Sequence, residues 1–451
     1  MDDTIVAIST SLAPSAISIV RVTGKDAIEI VNKVFKGKDL TKAKSHTIHY
    51  GFIVDNEEVI DEVLVMLMKG PKTYTVEDTV EINCHGGVNS TQRVLELLLN
   101  RGCRMAEPGE FTKRAFLNGR INLLEAESVN DLITAKTDAL RKMSLNNIGG
   151  NLTKTIKNIR EKLVKILANI EVNIDYPEYT DEVEVTKEML NNLIKEVSID
   201  LKKLVDDSKN GQIIKNGLNV AIIGKPNVGK SSILNYLLDE EKAIVTSIPG
   251  TTRDIVEGSI TLDGILINFI DTAGIRKTKD LVEQIGVDKS KKIADRADLI
   301  IFVLNNNEDL TKEELKLLKE YDKEKVIIFI NKNDLDNNLK EDQLKDYQIV
   351  KGNTINSDGL DNLKKAIIKM YSLDKITNSN MSYLSNVRQI DLITKAYDAI
   401  MNANEAMKSD VPVDLIEIDL RNAWELLGEL IGEAYNDELV DNIFSNFCLG
   451  K

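Results

Sequence analysis

The sequence predicts a multidomain chain of mixed α+β and α/β class. An α+β domain comes first, followed by a discontinuous α-helical domain with an α/β domain inserted between its two segments. Three observations lead there. Up to residue 118, short strand-like runs stand beside one helical stretch. From residue 122, apolar residues recur at three- and four-residue spacing, which puts them on one helix face. From Gly217, continuous β-branched runs bounded by polar turns read as buried parallel strands, and helical spacing returns after Leu373.

In order, residues 1–118 carry "SAISIVRV", "EVLVMLM" and "DTVEINC" as strands and "STQRVLELLLN" as a helix. Residues 119–216 form the first helical segment. There Leu152, Ile156, Ile159, Leu163, Ile166, Leu167 and Ile170 make one apolar stripe. Pro177 breaks that run, since proline has no N–H for the helix, and another helix follows over 186–209. Residues 217–375 hold the strands "LNVAIIG", "ILINFI", "DLIIFVLNN" and "KVIIFINK" with helical segments between. Residues 376–451 are helical again, with Leu420, Trp424, Leu427 and Ile431 as their stripe. Such insertions are tolerated because the ends of a domain usually lie close together.

Composition narrows the function. A chain of 451 residues that is 42% hydrophobic can bury sizeable cores. Three cysteines, Cys84, Cys103 and Cys448, are no disulfide framework and point to a reducing compartment. The opening "MDDTIVAIST" has no basic signal region, and no apolar run approaches the roughly 20 residues a membrane helix needs. A cytoplasmic protein with no membrane association is expected. The net charge of −14 argues against a general nucleic-acid binder. From Asn380 onward 13 Asp/Glu face 5 Lys/Arg, so that segment is the poorest phosphate surface.

The final "NFCLGK" puts Cys448 at the position of a prenylated cysteine, yet Gly450 and Lys451 do not fit the prenylation box. The preceding "AYNDELVDNIFSNF" has acids and no Lys or Arg, so an anionic leaflet would repel it. Cys448 therefore needs another account.

"GKPNVGKSS", Gly224 to Ser232, fits G-x-x-x-x-G-K-S between a strand and a helix. Such glycines let backbone N–H groups turn inward around phosphate oxygens at a helix N-terminus. Lys230 supplies charge to the terminal phosphates and Ser231 a hydroxyl to Mg²⁺. "DTAG" follows a strand: Asp271 is placed to hold magnesium through its water shell, and Gly274 to donate its N–H to the terminal phosphate. In "NKND", the Asp334 carboxylate accepts from the donor edge of guanine; facing adenine, a buried Asp334 would stay unpaired. The nucleotide is therefore GTP. These motifs in this order resemble the translation-factor branch of P-loop GTPases. The fifth motif is degenerate, with Asn353 and Thr354 in "GNTINSDG". Where many GTPases carry a water-orienting Gln, this chain has Ile275. Arg253, Arg276 and Glu283 lie in segments able to approach the γ-phosphate, and each Arg taken alone reads as a solvated charge.

"GTTRD", "DTAGIR", "EQIGV" and "FCLGK", with "HGG" (His85 to Gly87) and "PGEFTKRAFLNGRINL" (Pro108 to Leu123), together resemble the bacterial MnmE (TrmE) family of tRNA-modification GTPases. The resemblance spans essentially the whole chain. It implies a homodimer formed through N-terminal, folate-binding-like domains. It also implies a flavin-dependent partner, MnmG, in a heterotetramer. Together these proteins add a (carboxymethyl)aminomethyl-type group to C5 of the wobble uridine of certain tRNAs. The one-carbon unit comes from a tetrahydrofolate derivative, in its 5-formyl or methylene form, and GTP hydrolysis drives the conformational cycle.

Residue by residue, the resemblance assigns nucleotide contacts to Asn227, Val228, Gly229, Lys230, Ser231 and Ser232. It adds Thr246, Ser247, Ile248, Pro249, Gly250, Thr251 and Thr252, then Asp271, Thr272, Ala273 and Gly274, and finally Asn331, Lys332 and Asp334. Ser231 and Thr252 match the magnesium ligands. A potassium ion in place of an arginine finger matches Asn227 with Thr246, Ile248 and Thr251. Glu283 matches the water-orienting acid. Arg21, Glu81, Arg120 and Lys451 match the cofactor-binding positions, with a carboxylate on the pterin's amino edge and arginines on the tail carboxylates. Read alone, Arg21 and Glu81 are ordinary strand-edge residues. His85 beside Cys84 is not read as a metal site, since the chain has only three His and no second ligand pair.

Two other functions compete. A ribosome-assembly GTPase would carry a basic RNA-binding module, which the acidic last segment lacks. A stand-alone folate enzyme would need an acid–base pair in residues 1–120, and none is evident. For Cys448, the expectation is that "FCLGK" docks near the folate pocket and the cysteine serves the modification chemistry; its plain rival is a small buried hydrophobe.

Overall fold

Period-two alternation builds the first sheet. Its strands are β1 (Ile5–Ile8), β2 (Ser15–Thr23), β3 (Phe35–Lys36), β4 (Thr47–Asp55), β5 (Glu58–Met68), β6 (Thr79–Gly86) and β7 (Arg104–Met105). They lie in the order β3-β4-β5-β6-β2-β1-β7, and every pair is antiparallel except the parallel β1–β7. Val20, Val22, Val65, Leu67, Val80 and Ile82 point to one face and are fully buried against helices Ala27–Val34 and Val88–Asn100. Directly opposite residues share the other face: Arg21 faces Glu81, Glu81 faces Met66, and Met66 faces Ile48. That face is open, with Ile48 and Tyr50 60% exposed and Leu64 48% exposed.

The computed structural model describes residues 3–175, 180–240, 256–270, 294–378, 382–409 and 411–451. Contacts divide the chain into two units. One comprises Met1–Asn130, Asn147–Ser198 and Lys395–Lys451, and the other Asp131–Asn146 and Ile199–Thr394.

In the first unit, the sheet is followed by helices from both ends of the chain. Helix Asn151–Asp175 packs on Val413–Ile431, far away in sequence. The stripe Leu152, Ile156, Ile159, Leu163 and Ile166 is buried, as are Leu420, Leu427 and Ile431. Trp424 differs from the expected core position: it is half-buried, and its ring lies under the Arg160 guanidinium at 4.4 Å. Gly428 leaves room for that arginine, since a Cβ there would stand 3.0 Å from Arg160 Nη2. Pro177 lies outside the described residues. The next helix, Thr180–Asn216, is longer than the expected 186–209. No proline interrupts it, and it stops at Gly217, whose φ of +78° is left-handed.

The second unit holds a six-stranded sheet: β8 (Leu218–Ile223), β9 (Val256–Leu262), β10 (Ile265–Ile270), β11 (Leu299–Asn305), β12 (Val326–Asn331) and β13 (Gln348–Lys351). The order is β13-β12-β11-β8-β10-β9, parallel throughout except for β9. All residues of β11 and β12 are buried, because helices cover both sheet faces. Strand β13 did not emerge from the sequence: four residues with one fully buried side chain carry no apolar run. The strand order reverses at β8, with β10 on one side and β11 on the other. The carboxyl end of β8 is thus the switch point where open α/β sheets bind ligands.

Candidate functional site

The switch point carries "GKPNVGK". Gly224 has φ +154°, Asn227 φ +60° and Gly229 φ +103°. These left-handed turns fold the loop back between β8 and helix Lys230–Glu240. Glycine is required at 229 on space as well, since a Cβ would stand 2.2 Å from Asn331 Nδ2. Lys230 Nζ donates to the carbonyls of Gly224 (2.6 Å) and Lys225 (2.5 Å). Burial of its ammonium lowers the Lys230 pKa to about 8.

Asn331 knits three loops together. Its Nδ2 donates to Val228 O at 2.7 Å and to Thr354 Oγ1 at 3.1 Å, while its Oδ1 accepts from Thr354 N at 3.0 Å. The degenerate fifth motif thus joins the phosphate loop to the base loop through Thr354. Asn353 is buried, and its N–H donates to Asp358 O at 2.9 Å. Asp334, expected to be buried, is exposed: Asn331 at the end of β12 takes the buried place, and the chain turns outward after it at Lys332, φ +60°. The carboxylate of Asp334 stands open to a base from solvent. A further tie joins Lys225 Nζ to Glu314 Oε2 at 2.9 Å, at the start of helix Lys312–Glu320.

Thr246 to Thr252, Asp271 to Gly274, Ile275, Arg276, Arg253 and Glu283 lie outside the described residues. Of the expected magnesium and potassium ligands, Ser231 and Asn227 are described. Ser231 is half-buried in the first turn of its helix and Asn227 exposed on the loop. A hydroxyl and an amide oxygen at a helix N-terminus beside bound phosphates suit hard cations.

The first unit brings four other expected residues toward one place. Arg21 Nε donates to Glu81 Oε1 at 2.7 Å, and Arg21 Nη1 to the carbonyl of Gly450 at 3.2 Å. Its guanidinium also lies over Phe111, 5.5 Å from the ring centroid. Arg21 and Glu81 are direct cross-strand partners. Arg120 belongs to the same unit. It lies over the Tyr74 ring at 4.9 Å, donates to Thr73 O at 3.2 Å, and lines a cleft of about 500 Å³ with Met68, Pro71, Lys72, Thr73 and Tyr74. One aromatic ring and two cations in its lining fit a planar group that carries negative charge.

The last residues of the chain dock here. The Cys448 carbonyl accepts from Gly109 N (3.3 Å) and the Lys451 carbonyl from Phe111 N (3.1 Å). Ser9 Oγ donates to Gly450 O at 3.3 Å. Phe444 and Phe447 are buried among Phe116, Leu123 and Val440. Cys448 itself is exposed, which corrects its reading as a buried hydrophobe: the two Phe side chains do the packing and the thiol faces out. Cys84 and Cys103 are buried, and burial pushes each thiol up to about 12. His85 pairs with Asp61, Nδ1 to Oδ1 at 2.7 Å, and that hydrogen bond raises its pKa.

Sequence reasoning missed a buried ionic group under this docking site. Arg114, 1% exposed, reaches Asp3 Oδ1 (2.7 Å), Glu110 Oε1 (3.0 Å) and Glu77 Oε2 (3.1 Å). Arg104 Nη2 reaches Glu110 Oε1 at 2.5 Å. An acid and a base four residues apart in "EFTKR" were the available signal.

Residues 4–120 match the family model described as the GTP-binding protein TrmE N-terminus, and residues 123–448 the model described as the MnmE helical domain. A tRNA modification GTPase MnmE of Ligilactobacillus salivarius is 48% identical over 456 residues, covering 100% of this chain and 98% of its own. One of Bacillus cytotoxicus is 48% identical over 455 residues, covering 100% and 99%. Among solved structures, the G domain of the T. maritima FeoB iron transporter is 27% identical and covers 34% of this chain and 98% of its own. Its TM-score of 0.24 carries no argument.

The lowered pKa of Lys230 gives a signed expectation. At pH 9 the free loop holds this amine largely neutral, and phosphate contact restores its charge, so GTP binding takes up protons. Below pH 7 the amine is already charged and its uptake vanishes. Titration calorimetry at pH 9 in two buffers of different ionisation heat is expected to show the uptake; buffer-independent heats at pH 9 would contradict it.

Proposed function

The chain belongs to the MnmE family of tRNA modification GTPases, and on that footing we propose that it modifies C5 of the wobble uridine with a flavin-dependent MnmG partner, using a tetrahydrofolate-derived one-carbon unit. The observation that carries this reading is the meeting of Arg21, Glu81 and the Cys448–Lys451 segment at one place. The cofactor residues and the exposed thiol then belong to one centre. Glu81 and Arg21 hold the pterin end, and Arg120 and Lys451 offer cations to the anionic tail. A bound folate supplies the one-carbon group.

The domain layout proposed with this function is 1–118, 119–216, 217–375 and 376–451. A second copy of the chain covers the open sheet face; Ile48, Tyr50 and Leu64 there support it as a dimer surface. Among the described residues no helix is long and apolar enough to cross a membrane, and a cytoplasmic location goes with the reading. For hydrolysis, Ser231 and Thr252 hold Mg²⁺, Asn227 and the 246–251 loop hold K⁺, and Glu283 orients water where Ile275 cannot. A monovalent cation there offsets charge developing on the transferred phosphoryl group.

The test of the modification is the wobble-uridine nucleoside profile of cells lacking this protein. The wild-type chain is expected to restore the modified nucleoside, and Cys448→Ser to restore GTP hydrolysis without it. Restoration by Cys448→Ser would remove the cysteine from the chemistry, and a normal profile in the deficient cells would overturn the reading. For the ion, replacing Na⁺ by K⁺ at constant ionic strength is expected to raise turnover. Equal rates in the two salts would sink the potassium assignment.

A further inference from the structure

The segment "PGEFTKR" (Pro108 to Arg114) holds none of the expected nucleotide or cofactor residues, though Phe111 lies under Arg21, and it builds the seat on which the last residues of the chain rest. Gly109 has φ +69°, and a Cβ there would stand 2.6 Å from Phe444 O and 2.9 Å from Phe447 Cβ. The amides of Gly109 and Phe111 donate to the carbonyls of Cys448 and Lys451. An acid in a first helical turn ordinarily stays near solvent. Glu110, in the first turn of helix Glu110–Leu117, is 3% exposed instead.

Its carboxylate closes the turn that presents the two amides. Oε2 accepts from Glu107 N at 2.8 Å, and Glu110 N donates to Glu107 O at 3.2 Å. The same carboxylate takes Arg104 at 2.5 and 3.0 Å and Arg114 at 3.0 Å. Arg114 carries the restraint onward to the carbonyl and carboxylate of Asp3 and to Glu77. Burial alone would raise the Glu110 carboxyl, but the Arg104 hydrogen bond and its other donors hold it below the usual range, so it stays charged.

We propose that Glu110, backed by Arg114, is a positioning residue: it acts through the amides of Gly109 and Phe111 to seat the Cys448–Lys451 segment, whose Gly450 carbonyl meets Arg21, and so fixes the backbone that carries the Cys448 thiol. This rests on the reading that Cys448 serves the modification.

Glu110→Gln keeps the shape and an acceptor for Glu107 N but leaves both arginines short of a charge. Hydrogen exchange in the full chain reads the seat. Peptides covering residues 444–451 are expected to exchange about tenfold faster in Glu110→Gln, as local opening free energy falls, while helix Val88–Asn100 keeps its protection. Unchanged exchange over 444–451 with that helix protected would overturn the proposal. If Glu110→Gln loses protection throughout, Arg104→Gln decides. Arg104 is half-exposed and removable, and the same selective loosening is expected; its absence overturns the proposal. A loosened seat in cells that still modify the wobble uridine keeps the positioning role and overturns the role given to Cys448.

Discussion

A buried guanidinium organises the domain that carries Arg21, Glu81 and Arg120. Arg114 is among the largest fully buried side chains, and a charge that far from water needs acceptors on every side. Asp3, Glu77 and Glu110 supply acceptors to its two terminal nitrogens from the start of the chain, from the segment before β6 and from the same helix, while the buried Nε has no hydrogen-bond partner. Removing one partner of such a group costs about 3–5 kcal/mol where burial is complete. The Glu110 pair approaches that limit. Asp3 is 44% exposed and solvent screens its share. With the helix fixed, Phe111 lies under Arg21, Thr112 meets the Tyr74 hydroxyl, and two amides face the last residues of the chain. The cleft lined by Tyr74 and Arg120 and the docked segment flank one ionic knot.

The nucleotide unit follows a different economy. There the central group is neutral: the Asn331 amide satisfies the Val228 carbonyl and the Thr354 hydroxyl and backbone N–H. The phosphate loop, base loop and fifth loop are thereby held in register. Gly229 lets the amide approach so closely. Of the charged groups, Lys230 donates to the Gly224 and Lys225 carbonyls, and Asp334 is exposed.

The buried parallel strands were legible because β11 and β12 are covered on both faces and read as unbroken apolar runs. The phosphate loop was legible because its glycines and lysine have fixed spacing. Three features were not. Strand β13 borrows its hydrogen bonds from β12 and needs little apolar sequence of its own. The pairing of Arg21 with Glu81 depends on strand register, which an isolated strand does not encode. The outward turn after Asn331, which leaves Asp334 exposed, is set by the three-loop tie to Thr354. The Glu110–Arg114 spacing was visible as a helix-surface pair, but its burial comes from the segments packed over it.

The central claim is that Arg21 and its neighbours form a tetrahydrofolate site into which the end of the chain is built. Equilibrium binding of 5-formyl-tetrahydrofolate to the full chain and to Arg21→Gln tests it most directly. The account expects binding by the wild-type chain and its loss in the variant, with GTP affinity unchanged in both. Binding by Arg21→Gln at wild-type affinity would contradict it.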